Sequence, residues 1–258
     1  MLLTRPRVAR PSQTMVPIVT SMTNCTFDTH ASSVLALMQL SDSALPIGRH
    51  AHAFGLERLF RDGRVETPQD LQSMITSALT HGVARADGAA AALAHDALGA
   101  GLLSGLLEID ARLDLLKLTA SSQAASRRCG SRLASLAPAF HANSTLVKFV
   151  QEVADKKTPG HVSVVSGAVA AAMGISREDA VLMELRGVVT MILSAAVRLD
   201  VIPASAAQAM LVVLAPEIIG SAGISLGTGI GEMECGAAAG LEIASMRHAR
   251  DHSRLFAT

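Results

Sequence analysis

The sequence contains no tryptophan and no tyrosine, and only six of its 258 residues are phenylalanine. Aromatic side chains are the usual platforms on which proteins stack bases, so their scarcity disfavours a single-stranded nucleic-acid binder. Lys and Arg together number 22, as do Asp and Glu, whereas binding to a phosphate backbone requires a surplus of positive charge. We therefore expect no nucleic-acid partner.

Cysteine is also scarce, and no apolar run has the length of a membrane span. The three cysteines, Cys25, Cys129 and Cys235, fit neither a disulfide framework nor a paired metal-binding motif. Such cysteine usage is typical of a reducing compartment. The stretch between Asp200 and Glu217 carries no charge, but it is shorter than the ~18–20 residues that a bilayer requires. We therefore predict a cytoplasmic protein that does not insert into a membrane.

What the sequence does contain is aliphatic, since half of its residues are hydrophobic but only 2% are aromatic. Alanine has the highest helix propensity, whereas strands favour aromatic and β-branched residues, so the composition predicts an all-α fold. Two helix starts are explicit. Thr67 is followed by Pro68 and Asp70, and Ser176 is followed by Asp179, which is typical of N-terminal capping. Apolar residues then recur at intervals of three and four.

The spacing of such segments predicts a single domain, a bundle of about nine or ten helices over residues 31–258. Residues 1–30 contain no acid before Asp28, and we expect them to form a disordered N-terminal extension. Within the bundle, Pro138 predicts a helix break. Gly167 lies in an alanine-rich helix and predicts a place where two helices cross closely.

Glycine is concentrated near the C-terminus, where residues 220–240 hold seven of them. This composition predicts a flexible connector ahead of a C-terminal tail, residues 241–258. The run from Gly227 to Gly231 reads GTGIG, but no strand precedes it, its third glycine is misplaced and no acidic partner follows at the right distance, so it does not match a nucleotide-binding loop.

Few residues suggest chemistry of their own. His248 and His252 are four residues apart, a spacing that places both side chains on one side of a helix, where they could bind a transition metal. Neither has a third ligand at a natural spacing, and we predict no metal site. The sequence contains no G-x-S-x-G motif or other activated nucleophile. We therefore predict no catalytic residue.

The most informative segment joins two predicted helices at residues 40–57, which read LSDSALPIGRHAHAFGLE. Pro46 and Gly48 predict a tight turn there. As a string, this segment resembles the start of the urease accessory protein UreF family. Two further segments resemble the same family in the same order: residues 161–203, and the C-terminal sequence LEIASMRHARDHSRLF.

The resemblance implies an all-α protein that is not an enzyme, needs no cofactor and forms a homodimer. It implies that the protein binds UreD, also called UreH, that this complex recruits the GTPase UreG, and that the assembly places nickel in the urease apoprotein. It also implies partner-binding residues at the matching positions of the three segments: Leu45, Pro46, Ile47, Gly48, Gly55, Leu56 and Glu57; Arg198 and Leu199; and His248, Ser253, Arg254, Leu255 and Phe256.

The chain departs from the family pattern at Arg49 and His50, where a glycine and an aromatic residue are common, and at Ala249, where an acid is usual. These departures bear on single contacts with a partner. Two alternatives to a scaffold function stay open. One is a nickel-binding metallochaperone that uses His248 and His252, and the other is an unrelated helical hydrolase.

Overall fold

The computed structural model describes residues 29–234, 239–248 and 255–256. Within this part the chain is helical or in turns and has no strand, which confirms the all-α prediction. The α-helices are, in chain order, α1 (Thr29–Ser41), α2 (Leu56–Arg61), α3 (Pro68–Ala78), α4 (Ala89–Gly99), α5 (Leu103–Leu116), α6 (Ala120–Phe140), α7 (Ser144–Ala154), α8 (Val162–Ala172), α9 (Arg177–Arg198), α10 (Ala204–Val213), α11 (Ala215–Gly227) and α12 (Ala239–His248). All but the last two residues of the predicted N-terminal extension lie outside the described residues.

The two explicit helix starts are confirmed. The Thr67 hydroxyl accepts the backbone N–H of Asp70 at 3.2 Å, and the Asp70 carboxylate accepts that of Thr67 at 3.0 Å. This reciprocal pair is a capping box, which satisfies two backbone donors that the helix leaves free. At α9 the Ser176 hydroxyl accepts the backbone N–H of Asp179 at 3.0 Å. Local sequence chemistry therefore fixes both starts.

Helices α3 and α4 are joined without a break by a π-helical segment, Leu79–Gly88. This π-helical segment packs against α11, from which the Ser225 hydroxyl donates to the Ala84 carbonyl at 2.8 Å. Ser225 also lies against Gly88, where an added Cβ would be 2.2 Å from the hydroxyl oxygen. The unusual helix is thus supported by a specific neighbour.

Two local predictions are wrong. Pro138 lies inside α6. The helix tolerates it because α6 ends two residues later, so the N–H group that proline lacks removes a hydrogen bond only from the last turn. The predicted flexible connector over residues 220–240 is helical as far as Gly227. Each glycine in a helix costs up to about 1 kcal/mol, but α11 offsets this cost by burying Ile218 and Ala222 against the core.

The centre of the bundle is the close contact of α4 and α8. Both helices have small side chains at the contact, and Ala90, Ala91 and Ala168 are fully buried. A Cβ added to Gly167 would lie 2.2 Å from the carbonyl oxygen of Ala91, a distance at which the backbone would have to move. The predicted close crossing at Gly167 is therefore confirmed.

Helix α9 runs along the core. Among the described helices, it is the only unbroken one that is long and apolar enough to cross a membrane. In this protein 67% of its most apolar stretch is buried inside the bundle. Leu185, Val189 and Ile192 are fully buried there, which is typical of the core helix of a globular domain. This helix positions Glu184 and Arg198 for the site described below.

The crossing at Gly167 predicts opposite effects for two identical substitutions. We expect Gly167→Ala to lower the free energy of unfolding by about 1–3 kcal/mol, because the methyl group overpacks the interface with α4. Gly220→Ala on α11, where no atom lies within 4 Å of the added Cβ, should raise it by up to about 1 kcal/mol. Urea unfolding of the two variants measures both, and equal effects would contradict the close packing.

Candidate partner-binding site

The segment at residues 45–57, which we call the turn motif, folds as a compact turn between α1 and α2. Gly48 has φ +80° and Gly55 has φ +78°, values that glycine adopts without strain. Ile47 is buried in the core. Phe54 also has positive φ, at 54°, so two consecutive left-handed residues separate a 3-10 turn, Arg49–Ala51, from α2. The chain is therefore not one continuous helix over residues 50–61.

Glu57, at the end of the turn motif, is fully buried. Its carboxylate accepts the backbone N–H groups of Leu255 at 2.9 Å and Phe256 at 3.0 Å, both in the C-terminal tail. The guanidinium of Arg61 donates to the same carboxylate at 2.6 Å. A buried carboxylate requires such partners, because water no longer solvates its charge. The tail is thus bound to the turn motif through its backbone.

Arg198, at the end of α9, completes this junction. Its guanidinium lies 4.3 Å from the ring centroid of Phe256, a cation–π contact worth about 0.5–1 kcal/mol at an exposed site. The same guanidinium donates to the carbonyl of His50 in the turn motif. The Phe256 ring is only 4% exposed and packs on the core. Arg198 therefore bridges the tail and the turn motif.

A second ion pair anchors the turn motif to the middle of α9. Arg49 donates to the carboxylate of Glu184, whose side chain is 1% exposed. Gly187, one turn further along α9, makes room for it, since an added Cβ there would lie 2.5 Å from Nη1 of Arg49. Arg49, at which the chain departs from the family pattern, thus forms an ion pair within the chain.

The two histidines of the turn motif are held neutral. Burial, together with the positive charges of Arg128 and Arg132, lowers the pKa of His52 to about 4. Burial and the nearby Arg49 likewise lower the pKa of His50. At neutral pH neither imidazole adds positive charge to the junction.

The sequence is similar to one family of known proteins. The UreF family model matches residues 65–215, more than half of the chain. This chain belongs to the UreF family. The urease accessory protein UreF of Bacillus sp. (strain TB-90) is 29% identical over 224 residues, which cover 86% of this chain and 98% of the relative. That of Yersinia pestis (strain Pestoides F) is 30% identical over 170 residues, 66% of this chain and 74% of the relative.

The same likeness extends to Haemophilus influenzae (strain PittEE), whose urease accessory protein UreF is 32% identical over 144 residues, covering 56% of this chain and 61% of the relative. The expected family is therefore confirmed. All three relatives carry the name urease accessory protein UreF.

The structure brings together residues from all three predicted segments: Glu57 from the first, Arg198 from the second, and Leu255 with Phe256 from the third. Leu56 is fully buried beneath them, and Leu199 is half-buried at the end of α9. Leu45 is half-buried and Pro46 is exposed, at the far end of the turn motif.

Several predicted positions cannot be placed in this junction. Ser253, Arg254 and His252 lie outside the described residues, and so does the side chain of His248, whose backbone ends α12. Across the described part of the chain, no group of three or more His, Cys, Asp and Glu side chains could hold a metal ion. The predicted roles of these residues stay predictions.

Sequence reasoning missed a buried polar network behind the turn motif. The carboxylate of Asp110 accepts the backbone N–H groups of Gly160 at 2.6 Å and His161 at 2.8 Å. His161 is fully buried, and its ring nitrogens lie 3.0 Å from the hydroxyl of Ser126 and 2.9 Å from the carboxylate of Asp114. These bonds join α5, α6 and the start of α8 over long sequence separations. No local pattern in the sequence marks them.

The junction predicts that Glu57 controls the docking of the tail. Glu57→Ala removes the acceptor of two backbone N–H groups, and a hydrogen bond to a charged group contributes about 1.5–3 kcal/mol. We expect the amide of Phe256 to exchange with solvent about tenfold faster or more, as measured by hydrogen–deuterium exchange. Glu108→Ala, at an exposed site on α5, is the control. Unchanged exchange in Glu57→Ala would disprove the docking role.

Proposed function

We propose that this chain is a non-catalytic scaffold for urease maturation, which binds UreD (UreH), recruits the GTPase UreG and thereby supports GTP-dependent insertion of nickel into the urease apoprotein. Membership of the UreF family supports the general role. The particular partners rest on the family resemblance of the three segments. The observation that carries the proposal is the tail, which is bound by its backbone to Glu57 and directs Leu255 outward.

The C-terminal tail exposes three apolar side chains. Leu255 is 61% exposed, Ile243 is 49% exposed and Met246 is 45% exposed. Ile243 and Met246 are three residues apart on α12, a spacing that places them on one side of the helix, and exposed apolar side chains grouped in this way are typical of protein interfaces. We assign the contact with UreD to these three side chains, which we call the tail face.

Phe256 has a different role in this proposal from the one the sequence suggests. Its ring is buried against the chain's own core, so it anchors the tail internally. Leu255, its neighbour, is left to contact the partner. A tail that is already held in place loses less conformational entropy on binding, which favours affinity.

The remaining parts of the proposal concern assembly and location. We propose that two copies of the chain join in the complex and that maturation takes place in the cytoplasm. The cysteine usage supports a reducing compartment, and the burial of α9 inside the bundle supports a protein that is not inserted in a membrane.

If the tail face contacts UreD, a single negative charge placed on it should prevent binding. Leu255→Asp should abolish co-purification of the chain with UreD, because the carboxylate would have to lose its water on entering an apolar interface. Its backbone N–H still binds Glu57, so the fold should be retained, as circular dichroism would verify. Val147→Asp on α7, at a side chain of similar exposure (48%), is the matched control.

Binding to UreD that is undiminished in Leu255→Asp would overturn the assignment of the tail face. Equal loss in Leu255→Asp and Val147→Asp would point to a general effect of added charge, and would also count against it.

A further inference from the structure

Two arginines on α6, Arg128 and Arg132, are left without a partner. Both are exposed, and neither side chain forms a hydrogen bond or an ion pair with any residue that the structure describes. They are four residues apart, a spacing that places both on one side of the helix with their Cβ atoms about 5–6 Å apart. We call these two side chains the arginine face.

Elsewhere among the described residues, cations without a partner are isolated. Most Lys and Arg side chains there bind a carboxylate or a carbonyl. Arg127, next to the arginine face in the sequence, is one of them, since its Nε–H donates to the carboxylate of Asp114 at 2.9 Å. The side chains that have no such bond are, besides the arginine face, Arg64, Lys148, Lys156 and Arg186. No two of these four lie one turn apart on a helix, so the arginine face is distinct in this respect.

The arginine face carries two positive charges that no described ion pair neutralises. Helix α6 contains three arginines and no Asp or Glu. Asp42, the acid that comes just before the turn motif, instead accepts the backbone N–H of Ala44 at 2.8 Å. Like charges one turn apart on a helix destabilise it slightly. Acidic groups brought from outside the chain would remove this repulsion.

The guanidinium of Arg132 is also restricted in position, because it packs against the turn motif. A Cβ added to Gly48 would lie 2.5 Å from Nη1 of Arg132, so the absence of a side chain at Gly48 leaves room for the guanidinium. A side chain that is already held in place loses less conformational entropy when it binds. The arginine face is therefore partly arranged before a partner arrives.

The chemistry of the arginine face selects an anionic partner. Guanidinium groups bind carboxylates and phosphates through two parallel N–H···O bonds. Nucleic-acid binding requires a surplus of positive charge and commonly uses aromatic platforms, whereas this chain has 22 cations, 22 anions and no Tyr or Trp. Two carboxylates that are four residues apart on a helix have the same spacing as the two arginines. The observations therefore favour an acidic protein segment.

We propose that the arginine face binds an acidic segment of a partner protein, in which two carboxylates one helical turn apart pair with Arg128 and Arg132. This surface is separate from the tail face. Helix α12 contacts α6 near its start, where the hydroxyls of Ser121 and Ser245 lie 3.1 Å apart, and the arginine face is about two to three turns further along α6. The proposal goes beyond the scaffold function and does not require UreD.

The first test titrates the full chain with a short alanine-based helical peptide that carries two Glu residues four positions apart. The same peptide with Gln in place of both Glu residues is the control. NMR signals of the arginine Nε–H groups locate the binding, with the exposed Arg64 as the reference. We expect saturable shifts at Arg128 and Arg132 with the Glu peptide and none with the Gln peptide. Binding should weaken as NaCl is added, because salt screens exposed charges.

A pair of double variants tests whether position or total charge matters. Arg128→Gln/Arg132→Gln should weaken binding of the fluorescently labelled Glu peptide about tenfold or more, measured by fluorescence anisotropy, because both charge-assisted pairs are lost. Lys148→Gln/Lys156→Gln removes the same charge from two other exposed side chains without a partner, and should change the affinity less than about twofold. Circular dichroism verifies that both variants fold.

Three results would overturn the proposal. The absence of saturable shifts with the Glu peptide would show that the arginine face does not bind carboxylates. Equal weakening in the two double variants would show that binding follows total charge. Equal affinity for a thymidine trinucleotide, whose two phosphodiesters carry the same charge as the peptide, would show that carboxylates are not selected. Because no urease accessory protein is used, these results are independent of the proposed scaffold function.

Discussion

The constraint on which the rest of the structure depends is that a carboxylate removed from water must receive hydrogen bonds from protein donors. Glu57, Glu184 and Asp110 are all buried within an interior that is largely aliphatic. Each binds a segment outside the α-helices: residues 255–256 of the C-terminal tail, the 3-10 turn Arg49–Ala51, and the loop before α8. The irregular parts of the chain are thus fixed by charge, and the helices by packing.

The packing of the helices follows from the scarcity of aromatic residues. Large rings are nearly absent, so the helices fill space by approaching one another closely. Gly167 against Ala91 is one such contact, and Gly130 against the carbonyl of Gly160 is another, at 1.9 Å for an added Cβ. The second contact brings α6 to the start of α8, where Asp110 and His161 form the polar network. Small residues and buried charges therefore depend on each other in this fold.

The sequence could predict features that depend on neighbouring residues in the chain, but not those that depend on packing against distant residues. The helix starts at Thr67 and Ser176 depend on neighbours three residues away and were predictable. The helical state of Pro138 and of residues 220–227 depends on what packs against them, so intrinsic propensity gave the wrong answer there.

The same division holds for the site. Family resemblance identified Glu57, Arg198, Leu255 and Phe256 as a set but gave no contacts between them. Arg49 and Glu184 lie 135 residues apart, and no spacing rule connects residues at that distance. The inward turn of Phe256 likewise required the fold, because an aromatic residue near a chain end is equally compatible with an internal anchor and with a partner contact.

The central claim is that the tail packs on its own chain, with Phe256 beneath Arg198 and Leu255 facing outward. The most direct measurement is a nuclear Overhauser experiment on the free full-length protein, with the Phe256 ring protons observed. Because the guanidinium lies 4.3 Å from the ring centroid, the account predicts cross-peaks between the ring and the side chain of Arg198. A Phe256 ring with solvent-averaged shifts and no cross-peak to Arg198 would contradict it.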